Sequence, residues 1–306
     1  MKAIVTGGSG FLGRSVVDAL FEKQWDVTVI DNNSRGKSEL LNTEVKFKKI
    51  DIRDQERVIE STIGADLLVH LAFINGTRYF YEKPDLVIEV GIKGMLNVHE
   101  AVKQNNIPSV VMFSTSETYQ GDVTIPTPEN IALSIPDILN PRFSYGGSKI
   151  ALELMTVHLT SKYVDSWKII RPHNIYGPNM GSEHVIPQLF QKVIESTGKK
   201  MTIEGSGSQT RSFCHIKDFA TSFKLIMEDE AKNEIYNIGT SEEITISELA
   251  TRIIEVVGKE IDIETSELPA GGTMRRCPDI TKIRKLGFKQ AISLDYGLQD
   301  YYKSLV

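Results

Sequence analysis

The chain has 306 residues, 41% hydrophobic and 25% charged, with a formal net charge of −5. This describes a globular protein of one large domain or two lobes. An acidic balance with no basic block argues against a nucleic-acid partner, and no apolar run is long enough to span a bilayer. The two cysteines, Cys214 and Cys277, lie far apart. They suit a reducing compartment without disulfides, and no cysteine–histidine spacing suggests a metal. The first strand begins at residue 2 and leaves no room for a signal peptide, so the expectation is a cytoplasmic protein.

The opening stretch carries the clearest pattern. Residues 2–6 form a short apolar run of β-formers, followed at once by Gly7-Gly8-Ser9-Gly10-Phe11-Leu12-Gly13. Phe11, Leu12, Val16, Val17, Ala19 and Leu20 then recur with helical spacing, and a second strand, Val27-Thr28-Val29-Ile30, ends in Asp31. Strand, glycine turn, helix, strand and acid make a dinucleotide-binding unit. Gly7 allows the sharp turn, Gly10 lets a pyrophosphate approach the N–H groups of the helix start, and Gly13 lets helix and strand pack closely. An acid about 20 residues on suits the adenosine ribose hydroxyls. Asp31 repels a 2′-phosphate and so favours NAD over NADP, a preference that Arg35 could soften. The glycine spacing is G-x-x-G-x-x-G rather than G-x-G-x-x-G.

Further strands are expected at residues 46–50, 67–72, 110–113 and 167–170, with helices at 54–63 (Asp54 as N-cap), 84–105 and 144–162. The near-continuous apolar strands suit a parallel sheet covered on both faces. The prediction is a doubly wound α/β (Rossmann) fold with ligands at the strand C-termini. Residues 1–170 are assigned to the cofactor domain. After Arg171, prolines and glycines interrupt the pattern. Helices are expected near 184–196, 217–228 and 247–257. Residues 171–306 are read mainly as a smaller substrate-binding lobe, with segments near 213–240, including Ile235-Tyr236-Asn237-Ile238, returning to the large sheet.

Tyr145-Gly146-Gly147-Ser148-Lys149 is the second signal. Tyr145 and Lys149 share one helix face. A phenol titrates near 10, and bringing it near 7 takes roughly 4 kcal/mol of differential stabilisation. A nearby ammonium acts in that direction, so Tyr145 is read as a base that removes a hydroxyl proton. A serine or threonine hydroxyl at the end of the fifth strand, in Ser114-Thr115-Ser116-Glu117, is placed to share the proton.

These motifs, with Asp31-Asn32, Asp51-Ile52, His70-Leu71-Ala72 and Arg171-Pro172-His173-Asn174-Ile175-Tyr176-Gly177-Pro178, resemble the extended short-chain dehydrogenase/reductases, the group of nucleotide-sugar epimerases and dehydratases. The resemblance covers nearly the whole chain. It implies NAD as cofactor, held by Gly7, Gly10, Phe11, Leu12, Asp31, Asn32, Asp51, Ile52, Leu71, Ala72, Tyr145 and Lys149. It also implies a nucleotide-diphosphate sugar held by Asn174, Arg211 and either Arg275 or Arg276, and a homodimer formed through residues 84–105 and 144–162. Guanidinium forks suit phosphate oxygens. Family members often read S-S-S-x-x-V-Y-G or S-T-x-E-V-Y-G where this chain has Ser114-Thr115-Ser116-Glu117-Thr118-Tyr119-Gln120-Gly121. Aligning on Tyr119 makes Thr115 the catalytic hydroxyl, and aligning on Gly121 makes it Ser116. The set Tyr145, Lys149, Thr115, Ser116 and Glu117 is therefore carried as catalytic.

All members of the group start by oxidising the sugar at C4. An epimerase needs only room for the keto-sugar to turn over. A 4,6-dehydratase also needs an acid–base pair, in this family an adjacent Asp-Glu, and only Glu117 is present. A decarboxylase needs a cation for a carboxylate, which Arg211 with Glu117 could imitate. C4 epimerisation is the favoured reading, with a UDP-sugar as the default and GDP-, CDP- and dTDP-sugars open. Dehydration, uronate decarboxylation and a non-catalytic NAD-binding sensor or scaffold are the alternatives. The intact Tyr145–Lys149 pair argues against the last.

Overall fold

The computed structural model describes residues 1–121, 123–267 and 271–306. The first half alternates β1 (Lys2–Thr6), α1 (Phe11–Glu22), β2 (Asp26–Asp31), β3 (Lys46–Lys49), α2 (Gln55–Ser61), β4 (Leu67–His70), α3 (Thr77–Glu82), α4 (Pro84–Asn105), β5 (Ser109–Phe113), α5 (Ser144–His158) and β6 (Ser166–Pro172). Next come β7 (Ile175–Tyr176), α6 (Val185–Glu195), β8 (Lys200–Glu204), β9 (Thr210–Ser212), β10 (Cys214–His215), α7 (Ile216–Glu228) and β11 (Glu234–Ile238). The chain ends with β12 (Glu243–Thr245), α8 (Ile246–Val257), β13 (Asp262–Ser266), β14 (Arg275–Arg276), α9 (Thr281–Lys285) and α10 (Leu294–Lys303).

Seven strands form the main sheet in the order β11-β6-β5-β4-β1-β2-β3, and every pairing in it is parallel. The chain reverses its direction of winding between β1 and β4. Their C-terminal ends form the crevice where a doubly wound sheet takes its ligand. Alternate residues of β1 supply both faces. Ala3 and Val5 join α1 and α7 side chains in one core, and Ile4 joins α2, α4 and α5 side chains in the other. A third core, built from α6, α8 and α10 around Phe190, Leu249 and Leu298, holds the second lobe. Phe219, Phe223, Tyr236 and Ile238 pack in the first core, and β11 pairs with β6. Ile280, Ile283 and Phe288 join the same core.

Local chemistry sets the element ends. Asp54 caps α2 by accepting from the Arg57 N–H. Pro84 starts α4, and Asn106 in the left-handed region (φ 51°) stops it. Thr245 and Glu248 close a capping box on α8. The helix expected over 144–162 is shorter. It ends at His158 and continues as a 3-10 turn, Thr160–Lys162. In its last turn the Thr156 hydroxyl bonds the Leu152 carbonyl, and just past its end the Ser161 hydroxyl bonds the Val157 carbonyl, contacts that loosen helices.

A buried polar network joins β5, α5, β6 and β11 beneath the crevice. Arg171 donates to both Glu153 oxygens, at 2.8 and 2.5 Å, and to the Tyr119 hydroxyl at 2.5 Å. Ser114 donates to Glu153 at 2.5 Å, and Tyr119 donates to the Asn237 side-chain oxygen at 3.0 Å. Arg171 and Glu153 are 2% and 5% exposed, so removing one partner leaves a buried, uncompensated charge. Glu153→Ala is expected to lower the unfolding free energy by about 3–5 kcal/mol in urea denaturation. A loss below about 1 kcal/mol contradicts the buried pairing.

Candidate active site

The glycine turn is constrained from several sides. Gly7 sits at φ +73°, and a Cβ there would lie 2.5 Å from the Ala72 nitrogen. A Cβ on Gly13 would lie 2.1 Å from the Gly7 carbonyl oxygen. Gly10 is the N-cap of α1 and brings no side chain to the helix start. Asp31, at the end of β2, accepts from the Ser9 N–H at 3.2 Å and the Asn33 N–H at 2.8 Å. Those bonds hold its carboxylate at the crevice wall. Asn32 donates to Asp51 at 3.1 Å, and Arg53 grips the same carboxylate and holds it well below its usual pKa. Arg35 pairs with Glu183 of the second lobe at 3.4 Å and lies over the Tyr79 ring.

This crevice is a cavity of about 650 Å³. Gly7, Gly10, Phe11, Leu12, Asp31, Asn32, Asp51, Ile52, Leu71, Ala72, Thr115, Ser116, Glu117, Tyr145, Lys149, Asn174 and Arg276 all line it. A bare helix N-terminus followed by an oriented carboxylate fits the pyrophosphate and ribose of NAD. A second cavity of about 490 Å³, lined by Arg211, lies on the side of the second lobe. The two share Glu117, Asn174, His184 and Arg276. Of the two adjacent arginines, Arg276 faces both cavities, while Arg275 is exposed and pairs with Glu243 at 2.7 Å.

Tyr145 and Lys149 come from the first turns of α5 and face the crevice. The Lys149 ammonium donates to the Phe113 carbonyl at 2.6 Å and lies 3.8 Å from the centre of the Phe73 ring. It is 5.9 Å from the Tyr145 ring centre. Phe80 stacks on Tyr145 and Phe73 meets it edge-on. Burial lowers the Lys149 pKa to about 7, with Glu153 opposing. Burial pushes the Tyr145 phenol well up, against a hydrogen bond with Thr115 that lowers it. In the structure burial among Phe73 and Phe80 favours the neutral phenol, and Phe73 covers the Lys149 ammonium. Of the two candidate hydroxyls, Thr115 is the one whose contact pulls the Tyr145 pKa down.

Glu117 lies where the cavities meet. Burial works to raise its pKa, but the guanidiniums of Arg276, Arg142 and Arg211 carry it down to about 2. One oxygen accepts from Arg276 and the other from Gln120 at 2.8 Å. Arg142 stands 3.7 Å away. Arg211 donates to the carbonyls of Thr210 and Thr273, and burial followed by Arg276 lowers its pKa to about 10. Asn174 donates to the Ser212 carbonyl at 2.9 Å.

Sequence reading missed Arg142, His184, Gln120 and Phe73. Arg142 lies three residues before Tyr145 on the entry to α5, the one sequence clue to its place. His184 immediately precedes α6, makes no side-chain capping bond, and is kept neutral by burial and Arg35, which lower its pKa to about 4.

The profile of the NAD dependent epimerase/dehydratase family matches residues 3–239. A putative UDP-glucose 4-epimerase of Methanocaldococcus jannaschii is 29% identical, over 97% of this chain and 95% of its own. UDP-glucuronic acid decarboxylase 5 of Arabidopsis thaliana is 28% identical, over 97% and 87%. The crystal structure of UDP-glucose 4-epimerase with UDP-glucose from Thermotoga maritima superposes with a TM-score of 0.89 at 26% identity, over 100% and 98% of the two chains. That of Thermus thermophilus UDP-glucose 4-epimerase in complex with NAD gives 0.88 at 25%, over 99% and 98%. With the glycine turn and oriented Asp31 already fitting that cofactor, the chain belongs to the NAD-dependent epimerase/dehydratase family of enzymes, and NAD is its cofactor.

Proposed function

We propose that the protein is a nucleotide-sugar 4-epimerase, with a UDP-sugar as first candidate. The observation that carries this reading is the state of Glu117. It is the one acid at the end of β5, its neighbour is Ser116, and both its oxygens are engaged by Arg276 and Gln120. A carboxylate carried down to about 2 by the guanidiniums around it is a poor proton donor to a departing C6 hydroxyl, and no adjacent acid stands in for it. Elimination therefore lacks its acid–base pair, whereas epimerisation needs none beyond Tyr145.

In this reading NAD supplies the acceptor and donor of two electrons and a hydrogen at C4. The chain handles the proton. Thr115 bridges the C4 oxygen and Tyr145, which takes the hydroxyl proton and later returns it. Lys149 lends its charge to the ribose side of the site. Asn174, Arg211 and Arg276 hold the diphosphate, and Asp31 selects NAD over NADP. A second reading is decarboxylation of a nucleotide uronic acid, favoured by the guanidiniums of Arg142, Arg211 and Arg276 around Glu117 and by the decarboxylase relative. Exposed Ile88 and Leu96 on α4 and Leu154 on α5 support pairing of two copies through those helices.

Purified protein with NAD and a panel of UDP-, dTDP-, GDP- and CDP-sugars, products resolved by NMR, is expected to yield a C4 epimer. A 4-keto-6-deoxy product would mean dehydration, and release of CO2 from a uronic acid would mean decarboxylation. Tyr145→Phe is expected to lower kcat by at least about 10²-fold, with NAD affinity within about twofold; unaltered turnover rules the phenol out as the base.

Lys149 also makes stability pH-dependent. Its folded pKa, about 7, lies below the 10.5 of an unperturbed lysine, so across that interval the unfolded chain binds the extra proton. Unfolding free energy should rise with pH from about 7 to 10.5 relative to Lys149→Met. Parallel wild-type and variant curves would contradict the burial of that charge.

A further inference from the structure

Four side chains close a ring where the two cavities meet. Arg276 donates from one terminal nitrogen to Glu117 and from the other to the Thr273 hydroxyl at 2.9 Å. Thr273 donates to the Gln120 side-chain oxygen at 3.5 Å. Gln120 donates back to Glu117, at 2.8 Å to the carboxylate and 3.0 Å to its main-chain carbonyl. The ring joins the segment after β5 to the stretch entering β14, residues more than 150 apart in sequence. Gln120 and Arg276 are 6% and 5% exposed. Aligned on Tyr119, Gln120 stands where the resembling family pattern has glycine.

Arg276 lines both cavities and Arg142 the second, so the clasp stands at the wall where guanidinium groups would meet a ligand's oxygens. We propose that Gln120 is a positioning residue for substrate binding: it fixes the second oxygen of Glu117 and, through Thr273, the far side of the Arg276 guanidinium, so that Arg276 keeps its place on the wall the two cavities share and meets the oxygens of a nucleotide diphosphate sugar there. Without it the second Glu117 oxygen keeps only the looser ion pair with Arg142 at 3.7 Å, the carboxylate turns, and Arg276 loses its register. The inference rests on the nucleotide-sugar reading for its ligand but on the ring alone for its geometry.

The test compares Gln120→Met, which fills the same space without a donor, with Gln120→Ala and with Thr273→Val, which opens the ring at the opposite corner. In NAD-loaded protein all three are expected to raise KM for the nucleotide sugar the wild type turns over by about tenfold, the loss of a hydrogen bond to a charged group. Their kcat should stay within about threefold and their NAD affinity should be unchanged. If Gln120 merely fills space, Gln120→Met keeps the wild-type KM while Gln120→Ala does not, and the proposal falls. It falls equally if Thr273→Val binds like wild type. A crystal structure of Gln120→Met without substrate provides the arm that needs no ligand: Glu117 and Arg276 in unchanged positions overturn the clasp. Wild-type protein that binds no sugar in the panel overturns the nucleotide-sugar reading instead.

Discussion

The burial of one ammonium group organises this molecule. Lys149 is 2% exposed, and a charge so placed is tolerable only where partners surround it. The C-terminal end of β5 supplies one, the Phe113 carbonyl at 2.6 Å. Glu153, one helical turn farther along α5, supplies the opposite charge and is itself held by Arg171 of β6 and Ser114 after β5. Satisfying that lysine therefore fixes the relative positions of β5, α5 and β6. Tyr145 and Thr115 take their places at the crevice as a consequence.

The second lobe completes the site from the other side. Its side chains Arg211, Thr273 and Arg276 approach the end of β5 and bracket Glu117 between cationic groups. The same residue that would be an acid catalyst in a looser setting is held here as a fixed anion. Reaction choice, on this account, follows from how firmly the environment holds one carboxylate and from the lack of an acid beside it. The phenol shows the converse effect. Its enclosure by Phe73 and Phe80 favours the neutral form, so the charge needed to deprotonate it has to be assembled around it by ligands.

Much of the fold was legible because it follows from local patterns. Apolar strands without alternation announced a covered parallel sheet, and Pro84 and Asn106 bound α4 by their own backbone preferences. The early end of α5 was not legible from periodicity, since hydroxyl-to-carbonyl bonds at Thr156 and Ser161 compete with it without disturbing the apolar spacing. At the site, the glycine turn, Asp31 and the Tyr145–Lys149 pair announced themselves by spacing. The Gln120–Glu117–Arg276–Thr273 ring did not, because it is made of residues that only the tertiary fold brings together. Helical spacing placed Tyr145 and Lys149 on one face but could not reveal Phe73, which arrives from the end of β4 and covers the ammonium.

The most direct test of the account follows a deuterium at C4 of the sugar. Tyr145, with its proton shared through Thr115, is held to open and close one centre and to leave the neighbouring carbons untouched. Substrate carrying deuterium at C4, incubated with the NAD-loaded enzyme in ordinary water, should give the C4 epimer with the label still at C4 and solvent hydrogen incorporated at neither C5 nor C6. Label appearing at C6, or C5 exchanging with solvent, would contradict the account, because either requires chemistry at C5 for which Glu117 is held unavailable.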